Sequence, residues 1–392
     1  MYKNIWFKLH LILGLSAGFI LLIVGFTGAM LSFEKEILNA INQDTYKVAV
    51  QEQGKLSTKE LLEKFQEQKP QAKINSITFS SSQDSSSMIN VAGEGANARK
   101  GVTYYVNPYS AEILPEVSGL KFFKTVENIH RRLLLDDFGK QVVGISVICL
   151  LILMFSGIYI YYPRLKKSFL QSLTLNFQSK GRFFLSNLHS VIGMWVIPFY
   201  LLASLTGLYW SYEWFSNSLH QITGVEKPKK PQMQNPQEQN KPQGDMKPKE
   251  PRAEMNTPQM TEKVSFDDIS SAVDTFNTLV ENKYLTATLR FPQKGTIYSF
   301  SYIALDASHE RARNTLEFDI KTKEISKHDK FKDKTLIQQL MGSIFPLHTG
   351  EYFGVIGQTL MFLASLVMPL FAITGLMLYI KRNKKKNKEI KE

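Results

Sequence analysis

Cysteine is almost missing. The chain has one, Cys149, and it lies inside an apolar run. Internal disulfides are therefore excluded, as are cysteine-ligated zinc and iron–sulfur centres. Acidic residues are missing where the chain is most basic. Lys3 and Lys8 open the chain with no acid near them, and Arg164, Lys166, Lys167, Lys180 and Arg182 fill residues 163–187 with none; the tail from Lys381 is a further basic run. Charge of either sign is nearly missing from four stretches, roughly 11–33, 141–162, 189–212 and 354–380. Each is long enough to cross a hydrocarbon core of about 30 Å as a helix. No A-x-A-like cleavage site follows the first stretch, which reads as a retained helix rather than a signal peptide.

The net charge of +12 raises the question of nucleic acid. Its placement answers it, because the basic runs flank the apolar stretches and fall on one side if four helices alternate. That is the positive-inside pattern, which puts both termini and the 163–187 loop in the cytoplasm and predicts no nucleic-acid partner.

What is present is a pattern that returns. His10 is followed by Gly14, Thr27-Gly28 and Ser32-Phe33-Glu34; His189 is followed at the same spacings by Gly193, Thr206-Gly207 and Ser211-Tyr212-Glu213, all at an offset of 179. A second frame joins His130, Gly139, Ser156-Gly157 and Arg164 to His348, Gly357, Thr374-Gly375 and Arg382 at an offset of 218. The offsets differ by about the length of a Pro-, Lys-, Gln- and Met-rich stretch, 225–262, that cannot bury a core and reads as a disordered linker. The predicted fold is an α-helical membrane protein: a four-helix transmembrane bundle made of two parallel two-helix repeats, each with a small α+β extracytoplasmic domain. The expected order is helix 1 (1–35), outer domain 1 (36–125), helix 2 (126–165), a cytoplasmic loop (166–186), helix 3 (187–215), outer domain 2 (216–345, linker included), helix 4 (346–382) and a basic tail (383–392). Within the outer segments, Leu56–Gln68 and Phe266–Leu279 read as helices. Ile74–Phe79, Gly101–Val106, Tyr284–Phe291, Ile297–Ala304 and Thr315–Ile320 read as strands. Val106–Ile113 and Phe318–Ile325 share a strand–turn–Glu-Ile shape.

The chemistry rests on histidine. His10 and His189 head helices 1 and 3 at one face, and His130 and His348 are expected to head helices 2 and 4 at the other. Two facing imidazoles between membrane helices suit haem, whose iron takes an axial nitrogen from each side. Gly14, Gly193, Gly139 or Gly357 would let a flat ring approach the backbone. Zinc is the competitor, but it wants further ligands nearby, and the spans offer few. Metal or siderophore transport would want polar groups at midplane, which the spans lack. The Thr-Gly and Ser-Gly pairs read as close-packing points between helices. Arg131, with Arg132, follows His130 and would neutralise ring propionates or cap the interface. Glu34 and Glu213 read as solvated helix ends or as an outer-face role. Tyr159, Tyr161, Tyr162, Trp210 and Trp214 read as interfacial aromatics, Pro198 and Pro369 as kinks, and His220, His309 and His328 as surface residues.

The doubled His-x3-Gly…Thr-Gly-x3-Ser-(Phe/Tyr)-Glu frame, His130-Arg131, and the Ser156-Gly157…Tyr162-Pro163-Arg164 exit resemble the PepSY-associated transmembrane family. The resemblance covers nearly the whole chain except 225–262 and the last few residues. It implies a bacterial inner-membrane protein and PepSY-like outer domains. It also implies two b-type haems, one on His10 and His189, one on His130 and His348, with no catalytic residue beyond these ligands. The activity implied is an oxidoreductase of iron acquisition, reducing an extracytoplasmic acceptor such as a ferric siderophore. The electron donor, cytoplasmic or quinone, is left open, because no flavin-reductase extension follows helix 4. The rival expectation is a non-enzymatic regulator or anchor acting through the outer domains.

Overall fold

The computed structural model describes residues 2–95, 100–227, 265–292 and 295–389. Most of the expected linker lies outside the described residues. Four helices are long and apolar enough to cross a membrane: α1 (Tyr2–Leu31), α6 (Asp136–Lys167), α8 (Gly181–Ser211) and α13 (Gly354–Glu389). Between α1 and α6 come α2 (Glu34–Ile41), α3 (Gln43–Tyr46), α4 (Thr58–Gln68), strands β1 (Ile74–Ser80), β2 (Ser87–Val91) and β3 (Val102–Val106), and α5 (Leu120–Arg132). The turn α7 (Phe169–Ser172) lies before α8. After α8 come α9 (Glu213–Thr223), α10 (Phe266–Leu279), β4 (Tyr284–Arg290), β5 (Ile297–Ala304), β6 (Arg313–Asp319), β7 (Ile325–Asp329), α11 (Leu336–Gly342) and α12 (Ile344–Thr349).

The four long helices bury a small core of Ala17, Leu21, Met154, Val196, Tyr200, Ala364 and Met368. Their outer surfaces leave Phe19, Phe26, Ile145, Phe155, Trp195, Leu363 and Leu376 exposed. An apolar belt of that extent is stable only against lipid. At Gly25 α1 meets α13 so closely that a β-carbon would overlap Met368. Pro198 and Pro369 lie inside uninterrupted α8 and α13.

The strands form one seven-stranded antiparallel sheet in the order β3-β2-β1-β4-β5-β6-β7. The two predicted outer units thus share a single sheet. Its central seam is β1 against β4, with Thr78 facing Thr288, the fifth residue of each strand, and their hydroxyls hydrogen-bonded at 2.8 Å. Helices α4 and α10 cover one face. Leu62, Phe65, Ile77 and Ile89 from the first half and Ile269, Phe276, Phe300 and Phe318 from the second form one core, each at 1 % exposure or less. Strands β2 and β7 were not anticipated: Ser87–Val91 sits among serines and Ile325–Asp329 is exposed and charged, so neither shows a hydrophobic alternation. The two Glu-Ile shapes fold alike. Val106 bridges Ile113 and Phe318 pairs with Ile325. Ala111 and Lys323 each adopt positive φ in the turn.

One expectation needs correction. His130 and His348 do not head membrane helices; they sit on α5 and α12, separate helices that precede α6 and α13. The first break runs through Leu133, Leu134 and Asp136, all at positive φ, and the second through Gly350 and Gly354. Leu-Leu-Leu at 133–135 carries no breaker in its side chains, so composition alone reads it as helix. Gly139 and Gly357 serve these breaks, and a β-carbon at either would overlap the backbone carbonyl of Arg132 or Gly350. They leave room for chain reversal, not for a flat ring.

His309 and His220 are also not surface residues; they are 8 % and 9 % exposed. His309 ties the β5–β6 connection to α12. Its Nε2–H donates to Ser343 Oγ at 2.8 Å, whose own proton goes to Gln339, while its Nδ1 accepts from the Arg311 amide at 3.1 Å. The bond accepted by Nδ1 requires the neutral ring. Burial and the neighbouring Arg311 charge hold its pKa below the usual 6.5. The folded state therefore binds fewer protons than the unfolded state as pH falls through 6.5, so stability is present above that pH and declines below it.

Two outcomes follow for the sheet end. Phe300 stacks on Phe276 at 4.3 Å and lies parallel to Phe318 at 5.7 Å, so Phe300→Ala is expected to cost about 3–5 kcal/mol in denaturant unfolding followed by near-UV circular dichroism. In the same assay His309→Gln should flatten the loss of stability between pH 6.5 and 5 relative to wild type.

Candidate functional site

The bundle brings the four histidines together in two pairs. His10 on α1 faces His189 on α8, with ring centres 6.3 Å apart and planes at 73°. His130 on α5 faces His348 on α12, again at 6.3 Å, with planes at 71°. One metal ion with nitrogen bonds of about 2.0 Å on each side, and roughly 1.1 Å more from nitrogen to ring centre, would set two imidazoles about 6.2 Å apart. The spacing of both pairs matches that demand.

Each ring is held the same way. His10 Nδ1–H donates to Ser156 Oγ at 2.8 Å, His189 to Thr374 Oγ1 at 2.7 Å, His130 to Thr27 Oγ1 at 3.2 Å and His348 to Thr206 Oγ1 at 2.9 Å. The direction follows from the hydroxyl protons. Ser156 donates to Leu153 O, Thr374 to Leu370 O, Thr27 to Ile23 O and Thr206 to Leu202 O, all within their own helices. The oxygens are left only to accept, so each imidazole carries its proton on Nδ1. His130 has a second acceptor in Val24 O at 2.9 Å. Nε2 therefore keeps its lone pair on all four rings, the state a metal requires.

The glycine after each hydroxyl residue completes the cradle. A β-carbon at Gly28 would stand 3.1 Å from Cε1 of His130, at Gly157 3.4 Å from His10, at Gly207 3.7 Å from His348 and at Gly375 4.0 Å from His189. The Thr-Gly and Ser-Gly pairs are thus histidine holders as well as helix contacts. Their recurrence in register with the histidines was visible in the sequence; their partners were not, because each bond joins different helices.

The His10–His189 pair borders a cavity of about 320 Å³. Gly14, Gly18 and Gly193 line it, and here protein packing does not demand glycine. Their β-carbons would meet Leu153, Ala372 and Phe371 at 3.8, 3.8 and 3.6 Å, ordinary contact distances. What their missing side chains enlarge is the cavity itself. The lining is largely apolar, with Arg182 and Arg382 as its charged members. Among the described residues no group of three or more His, Cys, Asp or Glu could hold a metal ion. Paired imidazoles beside a glycine-walled apolar slot suit a planar macrocyclic metal complex better than a bare ion.

Other expected residues fall elsewhere. Arg131 is committed to Glu127 by a 2.7 Å ion pair on the exposed side of α5, and Arg132 lies 3.9 Å from Asp137. Glu34, at the start of α2, is half-buried, and burial together with the nearby Glu127 carboxylate pushes its pKa up. Trp210 stands edge-on to His348 at 5.4 Å, a part in the second pair beyond that of an interfacial aromatic. Trp6 packs against Tyr159 and Arg164 lies over Tyr161. Arg182, one of the basic charges of the 163–187 loop region, also lines the cavity; that place depends on how α8 turns, which composition does not report.

A family model described as the PepSY-associated TM region matches residues 7–382. The chain belongs to the PepSY-associated TM family. It is a membrane protein with four candidate spans and a separate sheet-rich region. No curated protein matches it. The match runs through both histidine pairs and through the sheet, so neither is an appendage to this PepSY-associated chain.

Because Val24 O backs up Thr27 at His130, the four rings should respond differently to loss of their hydroxyls. In histidine-15N NMR, Thr374→Val is expected to change the tautomer signal of His189, whereas Thr27→Val leaves His130 protonated on Nδ1. Equal responses at the two sites would contradict the assignment.

Proposed function

We propose that this protein carries electrons across a bacterial inner membrane through two b-type haems and reduces an acceptor on the sheet side, a ferric siderophore in iron acquisition. The observation that carries the reading is the repeated imidazole pair, with 6.3 Å spacing and four rings held by Nδ1. His10 and His189 would hold the inner haem, and His130 and His348 the outer one. Haem bound by two histidines supplies one-electron transfer, having no open iron position for oxygen chemistry.

The chain's own residues provide the rest. His10 and Thr27, which mark the two levels on α1, are 17 residues apart, on the order of 25 Å along a helix. The interval is apolar: Leu21, Met154, Val196 and Met368 lie in it, on the wall of the cavity beside the first pair. Phe371 packs edge-on to His189 at 5.3 Å and to Tyr200 at 6.0 Å, extending an aromatic line from the first pair toward the second. Tyr200 buries its hydroxyl by donating to Ala364 O at 2.8 Å. The basic ends of the spans lie at the inner-pair level and support cytoplasmic termini by the positive-inside rule. A cytoplasmic or quinone donor would then deliver electrons to the inner pair. The sheet would dock or cover the acceptor. Fe(III) chelators hold Fe(II) far less well, so reduction alone would release the metal.

We also read the chain as two parallel repeats. Support comes from four histidine cradles built alike, from the seam of β1 on β4 at matching positions, and from the paired positive-φ turns at Ala111 and Lys323.

Purified protein is expected to show a dithionite-reducible b-type spectrum with two haems per chain. His348→Ala should remove one and leave the other, and ferric chelates should reoxidise the reduced protein. A colourless protein from haem-replete cells would falsify the reading and return weight to a sheet-borne binding role.

A further inference from the structure

The inner cavity has an end that the histidines do not explain. Arg182 and Arg382 both line it, and its lining includes no carboxylate. Among the described residues neither arginine has an ion pair with an acid; Arg382 rests over the Phe7 ring at 4.6 Å, and that contact leaves the guanidinium edge free to donate. Both are solvent-exposed, so they stand where the cavity opens, with guanidiniums placed to meet an anion that enters it.

Their levels agree. Arg182 lies seven residues before His189 on α8, and Arg382 seven residues beyond Gly375, the glycine that abuts His189 on α13. Seven residues are about 10 Å of helix. Because α8 and α13 run in opposite directions at this point, both cations fall on the same side of the imidazole pair, toward the 163–187 loop and the tail. The cavity is therefore polarised, with apolar glycine-bearing walls at the imidazoles and guanidiniums at one end. Its occupant should match, with a flat apolar body and anionic oxygens at one edge.

We propose that Arg182 and Arg382 form a carboxylate-binding end to the inner cavity, holding the acidic side chains of the ring ligand toward the loop-and-tail side. The inference rests on the haem reading and adds to it the orientation of the ring and the residues that fix it. The end is asymmetric. The counterpart of Arg382 in the 218-residue frame, Arg164, lies over Tyr161 instead and does not line the cavity. Arg131, expected from sequence to meet such carboxylates at the outer pair, is spent on Glu127. A phospholipid headgroup offers the same anionic oxygens, so the test must separate the two sources.

The probes are protohaem and its dimethyl ester, which differ only in the carboxylates. Full-length apoprotein made in haem-deficient cells, carrying His348→Ala so that only the inner pair can load, is titrated with each in detergent and in phosphatidylglycerol nanodiscs. Charge-assisted hydrogen bonds from guanidinium to carboxylate are expected to favour protohaem roughly tenfold over the ester. The Arg182→Gln/Arg382→Gln pair should shrink that preference to about twofold or less, while Arg182→Lys/Arg382→Lys, which keeps the charge, retains part of it. The readout is the Soret titration and not turnover, and binding of the ester by the Gln variant shows that the variant is folded. Equal binding of both compounds by wild type would overturn the proposal while leaving the haem reading intact. So would a preference that vanishes in the nanodiscs, because the arginines would then serve lipid headgroups. Binding of neither compound would sink the haem reading itself and this proposal with it.

Discussion

An imidazole inside a membrane bundle has an N–H that must be bonded, and a hydroxyl on the neighbouring helix is what this chain supplies. Left unbonded, such a group costs about 1–3 kcal/mol. The hydroxyl has a proton of its own with the same need, and it is met by the carbonyl one turn back, as at Thr27, Ser156, Thr206 and Thr374. The two requirements lock together. Once the hydroxyl proton is committed, the oxygen only accepts, and the imidazole proton can sit only on Nδ1. A structural need of the membrane interior thereby sets the chemical state of all four rings. The glycine that follows each hydroxyl residue is part of the same constraint, since the ring must lie against backbone to reach the oxygen.

The breaks between α5 and α6 and between α12 and α13 follow from where the second pair must lie. A histidine on a continuous membrane helix points wherever the helix rotation puts it. Placed on a short separate helix, it can be turned to meet its partner. The first break costs strain, because Leu133, Leu134 and Asp136 take left-handed backbone that L-residues avoid. The second reaches the same end with Gly350 and Gly354 and avoids that strain. Both breaks serve the His130–His348 pair, yet its 6.3 Å spacing equals that of His10 and His189, which sit on the unbroken α1 and α8; the fold reaches one spacing by two different helix arrangements.

Much of this was legible in the residues. The four spans announced themselves by length and absence of charge, and the histidines by their spacing from Thr-Gly, Ser-Gly and one another. Phe266–Leu279 and Ile297–Ala304 showed their periods plainly and fold over those same residues. What escaped were features that exist only between segments. β2 and β7 have no alternation of their own and are strands because neighbours pair with them. The fusion of two outer units into one sheet depends on β1 meeting β4, which no local signal foretells. Gly139 and Gly357 carried a real signal, recurrence in register, but recurrence reports that a position matters and not why. His309 looked unattached for the same reason: its partners, Ser343 and Arg311, come from a helix start and a loop.

The shared sheet bears on the histidines at a distance. α5 hangs from the first half of the chain and α12 from the second, so the His130–His348 gap is a distance between halves. Within the membrane the halves meet through α1 on α13, close-packed at Gly25 and Met368. Outside it they meet through the β1–β4 seam, one core of aromatic and aliphatic side chains. Cross-ties run between these two joints. Lys35 on α2 pairs with Glu310 in the β5–β6 connection, and Gln358 on α13 donates to Ser32 O at 2.7 Å and to Glu36 at 3.1 Å. The exposed ion pair contributes little by itself. The buried sheet seam is different, because opening it would expose Phe276, Phe300 and Phe318 to water. Two separate domains would let the His130 and His348 imidazoles drift with the halves that carry them. A single sheet bridging both halves makes the His130–His348 gap a braced dimension of the fold, as the packed helices already do for His10 and His189.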